Sequence, residues 1–189
     1  MGETQRVITR RNKSSNRIQV QSNVLETAYP NSTKNVVAFE KSIRNNSFET
    51  LAVFDKDGNI LLQNRGNETE AEAHATVNVE NGILTHNHPN GGSFSDIDIQ
   101  SALHFNQAEV RVVTDTYTYS MKRPYDGWGV SNRKMIREYK KELKKVSSEY
   151  SKRVKEGKIT SEEASIDTTH VVMKNLSKKY VWNYTRKIN

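Results

Sequence analysis

The sequence predicts an α+β fold followed by a C-terminal helical hairpin. Two observations predict it. Between residues 48 and 122, short alternating segments read as strands, with stretches of helical period ahead of them and among them. After residue 126 the character switches to long apolar stripes of helical period. The expected organisation is a flexible tail over residues 1–33, a central domain over 34–126 and a basic helical hairpin over 127–189. The chain of 189 residues is long enough for one core with an appended helical element.

Taken in order, residues 1–33 are rich in Asn, Ser, Thr and Arg without a sustained period. They hold no apolar core of a signal sequence. "KNVVAFEKSIRNN" (34–46) spaces Val37, Phe39 and Ile43 for a short helix. "FETLAVFDKDGNILLQN" (48–64) reads as two strands joined at "DKDGN", where Gly58 supplies the positive φ. "NETEAEAHATVNVENG" (67–82) is open between helix and strand. "GILTHNHP" is a strand closed by Pro89 and the Gly91-Gly92 pair. "SFSDIDIQSALHFNQ" starts a helix near Ser95, and "EVRVVTD" and "TYTYSMKR" alternate like paired strands. Ile136, Tyr139, Leu143, Val146 and Tyr150 then form one stripe on a long helix stopped by Gly157. A second helix starts at Thr160 or Ser161, with Glu162 and Glu163 in its first turn.

Composition narrows the chemistry. Cysteine is absent, which excludes disulfides, thiolate metal sites and a cysteine nucleophile. No apolar run approaches the roughly 18 residues that span a bilayer, and nothing argues for secretion, so a cytoplasmic location is expected. Charge is segregated: residues 1–48 carry 8 basic and 3 acidic side chains, 49–121 carry 3 and 11, and 122–189 carry 18 and 8. Basic ends can meet nucleic acid or an acidic protein. Interspersed Glu and sparse aromatics on the C-terminal helices read instead as a solvated surface, which makes nucleic acid a weak expectation.

The densest chemistry lies in "ILTHNHPNGGSFSDIDI" (83–99). Residues two apart on a strand share a face, so His86 and His88 project together and Asn87 projects away. Ser95 and Asp98 have the spacing of a capping box, which by itself stabilises a helix start by about 1 kcal/mol. A carboxylate held there can also close a His-His-Asp metal site with one position open to water. Imidazole and carboxylate in a small open shell favour zinc. Glu49, just ahead of an apolar strand, is the candidate general base. His74, His104 and His170 read as structural.

"THNHPNGGSFSDIDI" resembles the signature of the JAMM, or MPN, metalloproteases, and most of all their RadC-like branch: His-x-His-Pro, a short loop, then Ser-x-x-Asp. The order of Glu, hairpin, His-x-His, Ser-x-x-Asp, helix and strand pair agrees over about residues 48–122. The resemblance implies an α/β sandwich of cytidine-deaminase-like type around a mixed sheet. It implies zinc held by His86, His88 and Asp98, a water-activating Glu49, and a Ser95 that stabilises an oxyanion. One departure stands out: six residues, Pro89 to Phe94, separate the second His from the Ser where the family has seven, and the loop's second proline is missing. Asp96 is therefore the alternative ligand and Glu40 the alternative base.

"RPYDGWG", "GKITSEEA" and "WNYTRK" also resemble the C-terminal regions of phage head-morphogenesis (minor head) proteins. The expectation is a zinc-dependent peptidase or isopeptidase of phage or mobile-element origin, acting on a protein or peptide substrate. The alternative is a non-catalytic, metal-stabilised module that serves head assembly or binds a host protein. The string "HNH" alone does not make a ββα-metal nuclease, and a zinc deaminase needs cysteines the chain lacks.

Overall fold

The computed structural model describes residues 30–66 and 77–189, which form four helices and six strands. Helix α1 (Pro30–Ile43) precedes the hairpin β1 (Thr50–Phe54) and β2 (Ile60–Arg65). Then come β3 (Ile83–Asn87), α2 (Asp96–His104), β4 (Glu109–Val113) and β5 (Tyr117–Lys122). Helices α3 (Asn132–Lys155) and α4 (Ser161–Tyr180) follow, and β6 (Asn183–Ile188) ends the chain. One mixed sheet holds all six strands in the order β2-β1-β3-β4-β5-β6. Only the β3–β4 pair is parallel, since α2 forms the crossover between them. None of the described helices is long and apolar enough to cross a membrane.

Each element follows from local chemistry. Helix α1 starts at Pro30, within the segment read as tail, because proline's fixed φ suits a first helical turn. The hairpin closes where the Asp55 side chain accepts from the Asp57 and Asn59 amides at 2.8 and 2.9 Å. Capping boxes start α2 at Ser95 and α4 at Thr160. The segment 67–82 falls largely outside the described residues, His74 included, and its described part, 77–82, holds neither helix nor strand.

The sheet is covered on both faces. Val36 of α1 packs with Ala52, Phe54 and Ile83 on one side. On the other, Leu51, Val53, Leu84, Val110, Val112 and Tyr119 join Ile99 of α2, Met135 and Tyr139 of α3, and Val172 and Met173 of α4. The apolar stripe of α3 is thus spent on the sheet and on α4, with Met135 rather than Ile136 as its fully buried first member.

The last strand is a correction to the expected hairpin. After α4 the chain turns at Val181 in the left-handed region, φ 59°. Asn183–Ile188 then pairs antiparallel with β5, from Asn183 opposite Lys122 to Ile188 opposite Tyr117. Trp182 seals the turn, its indole donating to the Trp128 carbonyl at 2.9 Å. Residues 183–188 therefore complete the central sheet.

Candidate metal centre

Strand alternation sends His86 to the helical face of the sheet, the side of Leu84, and Asn87 to the α1 face. His88 lies one residue past β3, tied by its amide to the Val113 carbonyl at 3.0 Å. On the neighbouring strand Leu51 sits opposite His86. Glu49, two residues before Leu51, comes to the same face just ahead of β1. The loop 89–94 then reverses the chain so that α2 begins beside the end of β3.

These placements bring four side chains together. His86 Nε2 is 2.9 Å from His88 Nε2 and 3.0 Å from Asp98 Oδ1. His88 Nε2 is 3.5 Å from Asp98 Oδ2 and 3.8 Å from Glu49 Oε1. Their side chains range from 3% exposed for His86 to 14% for Asp98. The surrounding bonds orient each group. His88 Nδ1 donates to the Gly92 carbonyl at 3.2 Å, which leaves the lone pair on Nε2. Asp98 Oδ2 accepts from the Ser95 amide at 2.6 Å and the Ser95 hydroxyl at 2.8 Å, so Oδ1 is the oxygen turned to His86.

Electrostatics follow from the geometry. Burial works against a charged His86, but the Asp98 carboxylate together with Glu49 and Glu40 outweighs it and raises the imidazole's pKa. Burial lowers that of His88, and the adjacent His86 adds to the effect. Burial also works against the Asp98 charge, yet the two imidazoles hold its carboxyl well below the usual carboxylate range.

The donor set fits a divalent cation. Single ligand atoms of His86, His88 and Asp98 all lie within 4.8 Å of one another. Atoms bound to one tetrahedral zinc at about 2.0–2.1 Å stand roughly 3.3 Å apart, and His86 Nε2 lies 2.9 Å from His88 Nε2 and 3.0 Å from Asp98 Oδ1. In the protein alone, one proton on His86 Nε2 has to serve two lone-pair atoms, His88 Nε2 and Asp98 Oδ1. His86 Nδ1 meanwhile is buried without a hydrogen-bond partner, a cost the cluster bears for presenting Nε2.

Of the residues singled out in the sequence, the structure gathers His86, His88, Asp98, Ser95 and Glu49, and leaves two outside. Asp96 faces outward, 3.9 Å from Lys140 Nζ. Glu40 lies on the opposite face of the sheet, paired with Arg111 at 2.7 and 3.0 Å and accepting from Thr85 at 2.8 Å. Ser95 both donates to Asp98 and accepts from its amide at 3.2 Å. His104 is exposed at the end of α2, and His170 packs against Tyr184.

Asn87 is a positioning residue that its place on the far face conceals. Its carbonyl oxygen accepts from the Thr50 amide at 2.7 Å, and its amide donates to the carbonyls of Phe48 at 3.0 Å and Asn46 at 3.3 Å. It therefore clamps the backbone on both sides of Glu49. The available signal was an asparagine inside an apolar strand, where that residue is normally depleted.

No protein family, curated protein or solved structure matches the chain. Its fold and site define an α+β protein of six strands and four helices, among the described residues, with a buried His-His-Asp group able to hold a metal ion.

Proposed function

We propose that the protein is a zinc-dependent hydrolase of amide bonds, a metallopeptidase or isopeptidase of the JAMM type and of phage or mobile-element origin. The observation that carries this reading is the grouping of His86, His88 and Asp98, which could hold one metal ion, with the Glu49 carboxylate beside it, 3.8 Å from His88 Nε2. His86, His88 and Asp98 would hold the metal. Zinc supplies Lewis acidity that makes water a stronger acid near neutral pH and polarises a carbonyl. Glu49 then takes the proton as the water oxygen bonds to the carbonyl carbon, and returns it to the amine that leaves when the C–N bond breaks. Ser95 fixes Asp98 through its amide and hydroxyl, and it would help stabilise the developing oxyanion. The substrate would be a protein or peptide, including one joined through a lysine side chain, met in the bacterial cytoplasm or with the virion.

A second reading is a non-catalytic, metal-stabilised module for head assembly or host-factor binding. It is favoured by the burial of His88 and Glu49, each 8% exposed at the side chain, which restricts access for a polypeptide. One experiment separates the two. Purified protein is analysed for metal, then assayed on peptide and lysine-isopeptide substrates beside Glu49→Gln. The hydrolase reading expects one zinc in both proteins and a loss of about 10²–10⁴-fold in rate in the variant. Zinc in both with no hydrolysis by either selects the second reading, and absence of zinc from the wild type overturns both.

A further inference from the structure

The loop Pro89–Phe94 has an inner and an outer side. Its inner side serves the cluster, because the Gly92 carbonyl accepts from His88 Nδ1 and so decides which imidazole nitrogen keeps its lone pair. Its outer side is bonded to elements far along the chain. The Ser93 amide donates to Thr169 Oγ1 of α4 at 2.8 Å. Ser93 Oγ lies 2.8 Å from Tyr184 Oη of β6, which lies 2.9 Å from His170 Nδ1. Helix α4 lies directly on this loop: a Cβ on Gly91, whose φ is +77°, would come within 3.2 Å of Ile166. Burial holds the His170 pKa down at about 4. Ser93 Oγ, Tyr184 Oη and the neutral His170 imidazole thus form one hydrogen-bonded chain.

We infer that Thr169 and Tyr184 are positioning residues of the metal centre: by fixing Ser93 they fix the adjoining Gly92 carbonyl, and through it the orientation of His88. This rests on the metal-binding reading above. Neither residue touches a ligand atom; both act through one turn of backbone. Groups that hold a metal-binding imidazole in place typically control affinity by 10–100-fold. The C-terminal helices and strand thereby belong to the site as well as to the fold.

The test uses the full chain and cobalt(II) as a spectroscopic probe, with zinc affinity measured by chelator competition. Three variants are compared with wild type: Thr169→Val, which keeps shape but loses the hydroxyl; Thr169→Ser, which keeps the hydroxyl; and Tyr184→Phe, which keeps the ring against Phe94. The expected result is a weakening of about 10-fold or more in Thr169→Val and Tyr184→Phe, with a changed cobalt visible spectrum, and wild-type behaviour in Thr169→Ser. Circular dichroism of the metal-free proteins reports folding, and if Tyr184→Phe does not fold, the Val/Ser pair decides. Wild-type affinity and spectrum in Thr169→Val overturn the inference while leaving the metal reading intact. Equal losses in Val and Ser also overturn it, because the hydroxyl would then be irrelevant. A wild type that takes up neither cobalt nor zinc removes the metal reading itself, and this inference with it.

Discussion

Asn87 shows how one side chain can serve a site it does not face. Its three hydrogen bonds hold the segment Asn46–Thr50 against β3 and so place Glu49. Asn87→Ala is expected to strand the buried Thr50 amide and cost about 1–3 kcal/mol. Zinc should still bind, since none of its ligands changes. Chemical denaturation with parallel metal analysis checks both halves. Asp98→Asn should weaken zinc by more than the roughly 10–100-fold that the loss of a supporting hydrogen bond costs, while Asp96→Asn, on the outward side, should leave affinity within a factor of about two. A larger loss in Asp96→Asn would place the ligand elsewhere in the first turn of α2. The clustering of His86, His88 and Asp98, the proposed ligands, was legible because their geometry is local: two residues apart at a strand end, and one position in a helix cap. Asn87's partners lie 37, 39 and 41 residues away, beyond the reach of any spacing rule. Glu40 could be told from Glu49 only once the sheet existed, because the two lie on opposite faces of it.

Among the elements, the capped starts of α2 and α4 were the easiest to read and the final strand the hardest. Ser95 and Thr160 announce themselves through their partners three residues on, Asp98 and Glu163. Strand β6 lacks a comparable signal, since it runs at a sheet edge with no residue fully buried. The turn that launches it is also uncharacteristic, because Val181 occupies the left-handed region where glycine or asparagine is usual. A β-branched residue is strained there, and Val181 is 45% exposed, so little packing compensates. Val181→Gly should therefore stabilise the protein by about 1 kcal/mol, read as a higher midpoint in thermal melting. A lower midpoint would mean that the valine's remaining contacts outweigh the relief of strain.

At the scale of the molecule, the α+β class followed from the pattern, and the arrangement of layers did not. An apolar stripe states that a helix face is buried without stating what covers it. The stripes of α3 and α4 read equally well as a hairpin closed on itself and as the second layer of a sandwich. Met135, Tyr139, Val172 and Met173 in one core with Val110 and Tyr119 show the two helices packed on the sheet as well as on each other. Burying α4 against β6 also gives the whole fold a pH dependence. Burial, helped by Arg186 and opposed by Asp167, holds the folded His170 near 4 against an ordinary 6.5. Between those values the unfolded chain binds the extra proton, so stability falls as pH drops from about 6.5 toward 4 and is insensitive to this group above about 7.5. Denaturation of metal-free protein across that range should show a steeper acid loss in wild type than in His170→Gln, and equal slopes would remove His170 from the account.

The hydrogen bonds from the metal loop to Thr169 and Tyr184 span 76 and 91 residues of chain. Contacts so distant in sequence must wait for large stretches of backbone to be ordered, and closing such loops is what slows folding. The parallel unit β3–α2–β4, residues 83–113, closes a much shorter stretch of chain. Tight metal binding is therefore expected to appear only once β6 has docked on β5 and Thr169 and Tyr184 have reached the loop, an order that stopped-flow refolding with a metal probe would check.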